Sequence, residues 1–500
     1  MPMLAFFFFH GMTIDNPEKW SINKDQKGEG KIIMGGFFGC AATRSCNKEL
    51  FYGTDYLSHL GTRRGGLATV GKDGFQRSIH SLENAYFRSK FEADIEGLTG
   101  HMGVGVISDT DSQPLIIHGH LGTFALVMVG KIVNLEALVR EALGRKVHFA
   151  ETSQGEINPT EVAAALICEA PSFEAGIKNA QDKILGSCSM LVLTTAGIFA
   201  ARDRLGRTPI VIGKRDNAFA ASSESSAFSN LGFELEYTLG PGEIVLVTPE
   251  GMEKIQAPGE KMQICSFLWV YYGYPVSSYE GINTEQVRYN CGAALARKET
   301  KKADLVAGIP DSGIGHAIGF ANESKLPYMR PYVKYTPTWA RSFMPQNQAL
   351  RDLVARMKLI PNREIIQGRR IIFCDDSVVR GTQLRDNTQI LYEYGAKEIH
   401  MRIACPCLIH PCEFLNFSTS RSTLDLAGRK AIYGIEGTED IDLTEYAIDG
   451  SEKHRAMVAY IGERLGLTSL RYQTLPDLVA AIGLPKEKLC THCWDNSSYY

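Results

Sequence analysis

Short apolar runs alternate with helix-like segments in the second half of the chain. Residues 305–308 and 371–373 are apolar runs of strand length, and residues 284–300, 315–324 and 383–394 are predicted to be helices. Strands that alternate with helices are typical of a parallel sheet covered by helices. We therefore predict an α/β domain in this half of the chain.

The flanking parts of the chain show other patterns. Apolar alternation and the Pro241-Gly242 turn in the first half predict antiparallel sheet. Residues 436–500 are predicted to be mainly helical and end in a CxxC motif. The predicted helices of these two parts lie at residues 135–143, 161–169, 451–465 and 476–482.

Composition narrows the class of protein. A chain of 500 residues, 44% hydrophobic and 22% charged, is ordinary globular material with room for two or three domains. The net charge of -3 and the even spread of Lys and Arg give no basic face for nucleic acid. The apolar run at residues 4–9 is too short for a membrane span and lacks the flanks of a secretion signal. We expect a cytoplasmic protein that binds neither nucleic acid nor membrane.

The strongest chemical signal follows the strand at residues 371–373. Asp375 and Asp376 come at its carboxyl end, where open α/β sheets bind ligands. Adjacent carboxylates can bind Mg²⁺ or accept hydrogen bonds from vicinal hydroxyls. The small-residue loop at 377–382 leads into a helix whose N-terminus favours anions. This order of groups suits a phosphorylated ribose; the alternative is an acidic turn without a ligand.

The segment resembles the phosphoribosyl pyrophosphate (PRPP) loop of type I phosphoribosyltransferases. Four further motifs, in matching order, are similar to those of the iron-sulfur branch of the glutamine PRPP amidotransferase family, and the likeness runs from about Gly35 to the C-terminus. The four motifs lie at residues 307–313, 341–345, 348–351 and 356–359. The resemblance implies an enzyme that makes 5-phosphoribosylamine in purine biosynthesis.

The resemblance also implies a division of the chain. Residues 35–250 are expected to form an Ntn-type four-layer αββα domain of the class II glutamine amidotransferase kind. Residues 265–435 are expected to form a type I phosphoribosyltransferase α/β domain, followed by the helical segment 436–500 with its CxxC. Residues 1–34 fit nothing in the family and are interpreted as a leader or a misassigned start.

Roles in the transferase site carry over by match. Asp375 and Asp376 are expected to bind the ribose hydroxyls and Mg²⁺, with Ser312 near the metal and the pyrophosphate. The residues expected to cradle the 5-phosphate are Ser377, Arg380, Gly381 and Thr382. Basic residues that could meet pyrophosphate when a flexible loop closes are Lys334, Arg341, Arg351, Arg356 and Lys358, among which Arg341 and Arg351 are predicted to be catalytic.

Twelve cysteines in a chain without a secretion signal argue against disulfides and make metal binding the first alternative. Cys490 and Cys493 form a CxxC, which suits zinc, iron-sulfur or thiol redox chemistry. The resemblance adds Cys265 and Cys412 and implies that the four thiolates hold a [4Fe-4S] cluster. A structural zinc site on the same four residues and plain buried thiols stay open as alternatives.

The glutaminase half departs from the family at its chemical positions. Gly35 stands where the family has its nucleophilic N-terminal cysteine, so the covalent glutaminase step is lost. A cut after Gly39 that exposes Cys40 is the one alternative nucleophile. The positions expected to bind glutamine or form the oxyanion hole hold Gly103, Met128, Val129 and Pro159. We therefore expect an inactive glutaminase.

These observations predict a phosphoribosyltransferase that displaces pyrophosphate from PRPP with ammonia. The ammonia is expected to be free or to come from a separate ammonia-supplying protein, and the resemblance implies a homo-oligomer. Two alternatives stay open: transfer of phosphoribose to another amine or base, and a PRPP- or nucleotide-sensing protein without turnover.

Overall fold

The computed structural model describes residues 35–153, 155–335, 359–415 and 422–499, without the side chains of Ser153, Thr382 and Gln383. The strands of the first half are β1 Gly35–Ala42, β2 Arg64–Gly71, β3 Gly74–Ser81, β4 Met102–Ser108, β5 Leu115–Gly119, β6 Gly122–Ile132, β7 Thr152–Ser153, β8 Glu156–Ile157, β9 Gly186–Leu193, β10 Ile198–Ala201, β11 Val211–Arg215, β12 Ala218–Ser222, β13 Glu234–Thr238, β14 Ile244–Val247 and β15 Met252–Gln256. Its helices are α1 Asn47–Asp55, α2 Phe87–Phe91, α3 Leu135–Gly144, α4 Pro159–Ile167, α5 Phe173–Lys183 and α6 Phe228–Leu231.

Two antiparallel sheets stack in this half. One has the strand order β13-β11-β12-β1-β4-β2-β3 and the other the order β15-β14-β10-β9-β6-β5. Side chains of the two facing surfaces, including Phe37, Val104, Val127 and Leu191, are buried between the sheets. Successive strand residues point to opposite faces, so Phe38 of β1 packs in the neighbouring core outside the sandwich.

Helices cover the outer face of each sheet. Leu126 and Met190 on one sheet pack against Ile167 of α4 and Ile177 of α5, and α1 packs against β1 and β4 on the other. The predicted αββα layering is confirmed. Helix α4 begins two residues before its predicted start, because proline suits the first position of a helix and the preceding residue, Asn158, caps it.

The second half contains shorter strands and more helix. Its strands are β16 Ile264–Cys265, β17 Ser278–Tyr279, β18 Ile282–Asn283, β19 Leu305–Gly308, β20 Tyr332–Lys334, β21 Leu359–Pro361, β22 Arg370–Asp375, β23 Glu398–Ile403, β24 Ser469–Tyr472 and β25 Leu489–Cys490. Its helices are α7 Thr284–Arg297, α8 Ile314–Ser324, α9 Arg363–Ile366, α10 Thr382–Glu393, α11 Ala427–Glu436, α12 Thr444–Ala447, α13 Glu452–Arg464, α14 Leu475–Ile482 and α15 His492–Asp495. Leu268–Tyr272 form a π-helical turn, and Thr423–Asp425 and Lys486–Lys488 form 3-10 turns.

A four-stranded parallel sheet in the order β19-β22-β23-β24 organises this half, so the predicted α/β sheet is confirmed. Its fourth strand comes from the C-terminal segment. The prediction that this segment is mainly helical omitted β24, which is four residues long and gains its backbone partners only from β23. No helix in the described ranges is long and apolar enough to cross a membrane.

An ion cluster fixes β23 and β24 to the end of α7. Arg402 on β23 donates to the two carboxylate oxygens of Glu299 at 2.5 and 3.0 Å, and Arg471 on β24 donates at 3.4 Å. Burial raises the pKa of Glu299, but the two arginines outweigh burial and lower this pKa to about 2. Glu299 also accepts hydrogen bonds from the N–H groups of Thr300 and Lys301, so α7 ends before the predicted residue 300.

We expect Glu299→Gln to destabilise this half of the protein by on the order of 3 kcal/mol at neutral pH, because Arg402 keeps a buried charge without its counter-charge. The pKa of Glu299 lies below its ordinary 4.5 in the folded chain, so its contribution is present above pH 4.5 and lost as the pH falls towards 2. Urea unfolding midpoints of wild type and variant should therefore converge over that range.

A matched control is Glu323→Gln, which removes an ion pair of exposed groups, Arg297 and Glu323 at 3.6 Å. Its midpoint should stay close to that of wild type, because exposed pairs contribute little. Equal urea midpoints for both variants at neutral pH would contradict the proposed contribution of the Glu299 cluster to the free energy of unfolding.

Candidate functional site

Two acidic residues stand where β22 ends. Asp375 is the last residue of the strand, and Asp376, only 4% exposed, is the first of the loop that follows. Ser312, in the loop after β19, donates to Asp375 Oδ1 at 3.3 Å, and the backbone N–H of Asp376 donates to the same oxygen at 3.0 Å. The Ser377 hydroxyl donates to Asp376. The structure thus brings Ser312, Ser377 and the two carboxylates together.

The two carboxylates share an environment that disfavours negative charge. Burial raises the pKa of Asp375 well above its usual range, and the charge of Asp376 raises it further. Burial also raises the pKa of Asp376, although Ser312, Ser377 and Arg288 oppose it. A divalent cation bound by carboxylate oxygens relieves both effects. The donor set therefore fits Mg²⁺.

The acidic loop, residues 375–382, turns into α10 at a glycine. Gly381 has φ +77° and ψ -7°, a left-handed conformation that glycine adopts without steric cost. Helix α10 begins at Thr382, whose side chain lies outside the described set. Arg380 forms an ion pair with Asp425 at 3.2 Å, so its guanidinium lies towards the segment that precedes α11.

Of the five basic residues predicted to meet pyrophosphate, Lys334 is the one within the described ranges. It ends β20 and forms an ion pair with Asp311, the residue before Ser312. Arg341, Arg351, Arg356 and Lys358 lie outside the described residues, and their roles stay predictions.

Arg288 was missed by the sequence analysis. It is 5% exposed on α7 and donates to the carbonyl oxygens of Trp269 at 3.1 Å and Gly273 at 2.8 Å. Its positive charge lowers the pKa of Asp376. The signal in the sequence is an arginine next to Val287 in a predicted helix. Both residues are buried in the structure, and burying an arginine costs free energy unless its charge has a partner.

A buried carboxylate of the first half contacts the second half close to Arg288. Glu224 accepts hydrogen bonds from the Tyr279 hydroxyl at 2.7 Å and the Ser277 hydroxyl at 3.2 Å. His59 Nε2 lies 3.2 Å from the same carboxylate. Burial raises the pKa of Glu224, but His59, Tyr279 and Ser277 outweigh it and lower this pKa. Polar contacts therefore continue from the first half towards the acidic loop.

The position matched to the family nucleophile holds no reactive group. A Cβ placed on Gly35 would lie 2.6 Å from the carbonyl oxygen of Ile107 and 3.6 Å from Val129 Cγ2. The position matched to the nucleophile thus packs against a backbone carbonyl and the apolar side chain of Val129, one of the positions matched to the oxyanion hole. Cys40 lies within β1, is fully buried and pairs with strands on both sides. A hydrogen bond with Cys46 and burial raise the pKa of the Cys40 thiol.

The other positions that differ from the family pattern are also packed into the structure. A Cβ on Gly103 would lie 2.7 Å from Leu50 Cδ2, so a longer side chain there needs a different core. Met128 is buried among the outer helices, and Pro159 begins α4. These positions serve packing and helix initiation in this chain.

The four predicted ligand cysteines converge from three segments. Cys265 on β16 and Cys490 on β25 are direct partners in a parallel strand pair. Cys412 and Cys493 form a thiol hydrogen bond, which, with burial, raises the pKa of Cys493. Burial raises the pKa of Cys265, and the Cys490 and Cys412 thiols raise it further. Within the described ranges, no group of three or more His, Cys, Asp or Glu side chains is placed to bind a single metal ion.

Arg207 of the first half reaches all three cysteine segments and was not predicted. Its fully buried guanidinium donates to Gln263 at 3.3 Å and Ser498 at 3.4 Å, and it stacks 3.8 Å from the centre of the Phe414 ring. It also lowers the pKa of the Cys490 thiol, against the larger effect of burial. Arg207, a cation of the first half, therefore packs beside the segments that carry the four cysteines.

Comparison with known proteins finds matches that extend over most of the chain. Residues 101–230 match the family described as glutamine amidotransferase domain. An amidophosphoribosyltransferase of Bacillus subtilis is 31% identical over 397 residues, which cover 77% of this chain and 82% of that protein. The solved structure of the B. subtilis glutamine PRPP amidotransferase, complexed with ADP and GMP, superposes with a TM-score of 0.80 at 26% identity and covers 93% of this chain and 97% of its own.

The likeness to that structure spans both halves, so the predicted Ntn-type and phosphoribosyltransferase architecture is confirmed. A further relative, the amidophosphoribosyltransferase of Methanocaldococcus jannaschii, is 30% identical over 489 residues. That match covers 92% of this chain and 96% of the relative. Because the identity extends over nearly the full length of both sequences, the chain belongs to the amidophosphoribosyltransferase family.

Proposed function

We propose that this protein replaces the pyrophosphate on C1 of PRPP with nitrogen from ammonia and releases 5-phosphoribosylamine. The C1–O bond to pyrophosphate breaks, a C1–N bond forms, and the ammonia nitrogen loses one proton to solvent. The observation that carries the proposal is the pair of partly buried Asp375 and buried Asp376 at the end of β22, followed by a loop that turns into α10. Such strand ends bind ligands in open α/β sheets.

The residues of the acidic loop suit the parts of PRPP. Asp375 and Asp376 would accept hydrogen bonds from the ribose hydroxyls, and the start of α10 would face the 5-phosphate with its N–H groups. Arg288 would favour the ionised form of Asp376 and so partly offset the effect of burial on its pKa. Lys334, released from Asp311, would neutralise the leaving pyrophosphate. Arg341 and Arg351 are proposed for the same task.

Mg²⁺ is proposed as the resident metal, held by Asp375 and Asp376 with Ser312 beside them. It supplies charge neutralisation for the departing pyrophosphate. The residues themselves hold and orient the substrate, which is most of the catalysis that such a displacement needs.

Glutamine is not the proposed nitrogen source. Gly35 offers no nucleophile, and Val129 and Met128 offer no polar side chain to an oxyanion. We propose that ammonia arrives free or from a separate ammonia-supplying protein. The homo-oligomer and the cytoplasmic location stay predictions.

We further propose that Cys265, Cys412, Cys490 and Cys493 hold a [4Fe-4S] cluster. The four thiols lie close enough that Cys412 and Cys490 raise the pKa of Cys265 and of Cys493, and a cationic iron core would stabilise such a group as thiolates. The cluster would join the C-terminal segment to the transferase domain. Structural zinc on the same residues is the alternative.

We expect wild-type protein with Mg²⁺ and PRPP to release pyrophosphate with ammonium and not with glutamine. Phosphoribosylamine formation is measured in parallel, and Cys40→Ala should leave both results unchanged, because its buried thiol takes no part. Glutamine-dependent release that Cys40→Ala abolishes would show that the alternative nucleophile is used. Release without any nitrogen donor would indicate hydrolysis or another acceptor.

Asp375→Asn/Asp376→Asn should lower ammonium-dependent pyrophosphate release by at least about 100-fold, because the metal and the ribose hydroxyls lose their anionic ligands. The control Asp386→Asn removes an exposed carboxylate from α10, the helix that follows the acidic loop, and should retain activity. PRPP binding without turnover in the wild type would instead favour the sensing alternative.

Protein purified without oxygen should be brown and contain about four iron and four sulfide per chain. Cys490→Ser/Cys493→Ser should lose both, whereas Cys168→Ser, on a half-buried thiol at the end of α4, should keep them. Colourless wild-type protein with about one zinc per chain would establish the zinc alternative.

A further inference from the structure

A groove of about 630 Å³ runs between strand β24 and helix α13. Residues 467–472 form one wall of this strand–helix groove. The other wall is a stripe of helix residues that recur every three or four positions and so share one face of α13. The stripe consists of His454, Arg455, Val458, Ala459, Gly462 and Glu463. No residue of the acidic loop and none of the four predicted ligand cysteines lines the groove, so it is a separate site.

The groove follows the edge of β24. Consecutive strand residues point to opposite faces of a sheet, yet Ser469, Leu470, Arg471 and Tyr472 all line the groove. Strand β24 is the outermost in the order β19-β22-β23-β24, and among the described residues it pairs only with β23. The outer edge of such a strand presents N–H and C=O groups that have no strand partner. The groove therefore contains backbone groups with which a further strand can pair.

The helix approaches the strand closely at one glycine and leaves apolar surface beside it. A Cβ on Gly462 would lie 3.4 Å from Leu470 Cβ, so α13 and β24 are in contact there. Val458 and Leu467 are partly exposed in the groove, and the small side chain of Ala459 leaves room next to them. An apolar strip between a helix and an open sheet edge is the arrangement to which extended peptides add as an extra strand.

Two opposite charges stand at the ends of the helix stripe. Arg455 lies near the start of α13 and Glu463 near its end, and both side chains are exposed. On a helix, positions 455 and 463 are about 12 Å apart along the axis. A strand advances about 3.4 Å per residue, so strand residues four positions apart match this span, and they point to the same face.

The other ionisable groups at the Arg455 end have partners within the chain. His454 Nδ1 lies 3.9 Å from a carboxylate oxygen of Asp449. Arg471 donates to Glu299 at 3.4 Å. Arg455 and Glu463 form no ion pair with any other residue in the described ranges. These two charges are therefore the ones that an occupant of the groove can neutralise.

We propose that the strand–helix groove binds an extended peptide segment of a partner protein, which adds to β24 as a further strand. The segment carries an acidic and a basic residue four positions apart, with a β-branched apolar residue midway between them. The acidic side chain meets Arg455, the basic one meets Glu463, and the apolar one packs on Val458 and Ala459. Backbone hydrogen bonds supply affinity and the three side chains supply specificity. This binding does not depend on the proposed transferase activity.

The probe is a fluorescein-labelled peptide of sequence Asp-Thr-Val-Thr-Lys with capped ends, titrated with the full-length protein and followed by fluorescence anisotropy. Ala459→Arg should weaken binding by about tenfold or more, because the long side chain fills the space that the peptide occupies. Ala456→Arg adds the same side chain to the same helix outside the groove and should bind within about twofold of wild type. Both alanines are exposed, so thermal unfolding of both variants should match wild type.

Two N-methylated forms of the peptide test the backbone contacts. One form carries methyl groups on the two threonine nitrogens, and the other carries them on the nitrogens of the three remaining residues. Alternate N–H groups of a strand point to opposite edges, so strand addition should weaken binding of one form by about tenfold or more and leave the other nearly unchanged. Equal binding of both forms and the unmodified peptide would overturn strand addition.

Sedimentation of the same proteins distinguishes a partner peptide from a second copy of this chain. If wild type does not bind the peptide, and Ala459→Arg but not Ala456→Arg changes the oligomeric state, the proposal is overturned and the groove is an interface between copies. Peptide binding that Ala459→Arg leaves intact would also overturn it. Absence of pyrophosphate release in all three proteins would count against the proposed function and would not affect this comparison.

Discussion

Burial of two neighbouring carboxylates is the constraint on which the transferase half depends. Asp375 and Asp376 are forced together by their place at the end of β22, and burial raises the pKa of both. The parallel sheet is what makes that position available, because β22 lies between β19 and β23 and its carboxyl end leads directly into the acidic loop. Hydroxyl donors and Arg288 reduce the free-energy cost of placing two negative charges there, and a divalent cation would remove most of that cost.

The first half of the chain keeps the Ntn-type architecture, although Gly35 stands where the resemblance expects the nucleophile. Gly35, Gly103 and Val129, which lie at positions where the resemblance expects glutamine chemistry, are packed against neighbouring core atoms. This half still contributes buried contacts to the second half of the chain. Glu224 reaches Tyr279, and Arg207 reaches the cysteine segments, both through buried groups of the second half.

Local sequence was sufficient where one segment carries its own signal. The strand and loop at Asp375, helix α13 and the antiparallel sheet of the first half follow from apolar patterns and turn residues, and the resemblance supplied the αββα layering. Strand β24 was missed because four residues carry too little periodicity and its partner lies far away in the sequence. Arg288 and Arg207 were missed for a related reason: a buried arginine is recognisable only when the groups around it are known, and those come from distant segments.

The origin of β24 has a consequence for how the chain is made. The antiparallel sandwich has all its strands once residue 256 has been synthesised, so it can fold while the rest is still on the ribosome. The parallel sheet lacks its outer strand until residues 469–472 emerge, and Cys490 and Cys493 follow later still. Until then β23 presents an unpaired edge, which is the feature of a nascent chain that chaperones shield and that other strands join. The half that holds the acidic loop is thus the last part of this protein to become safe from aggregation.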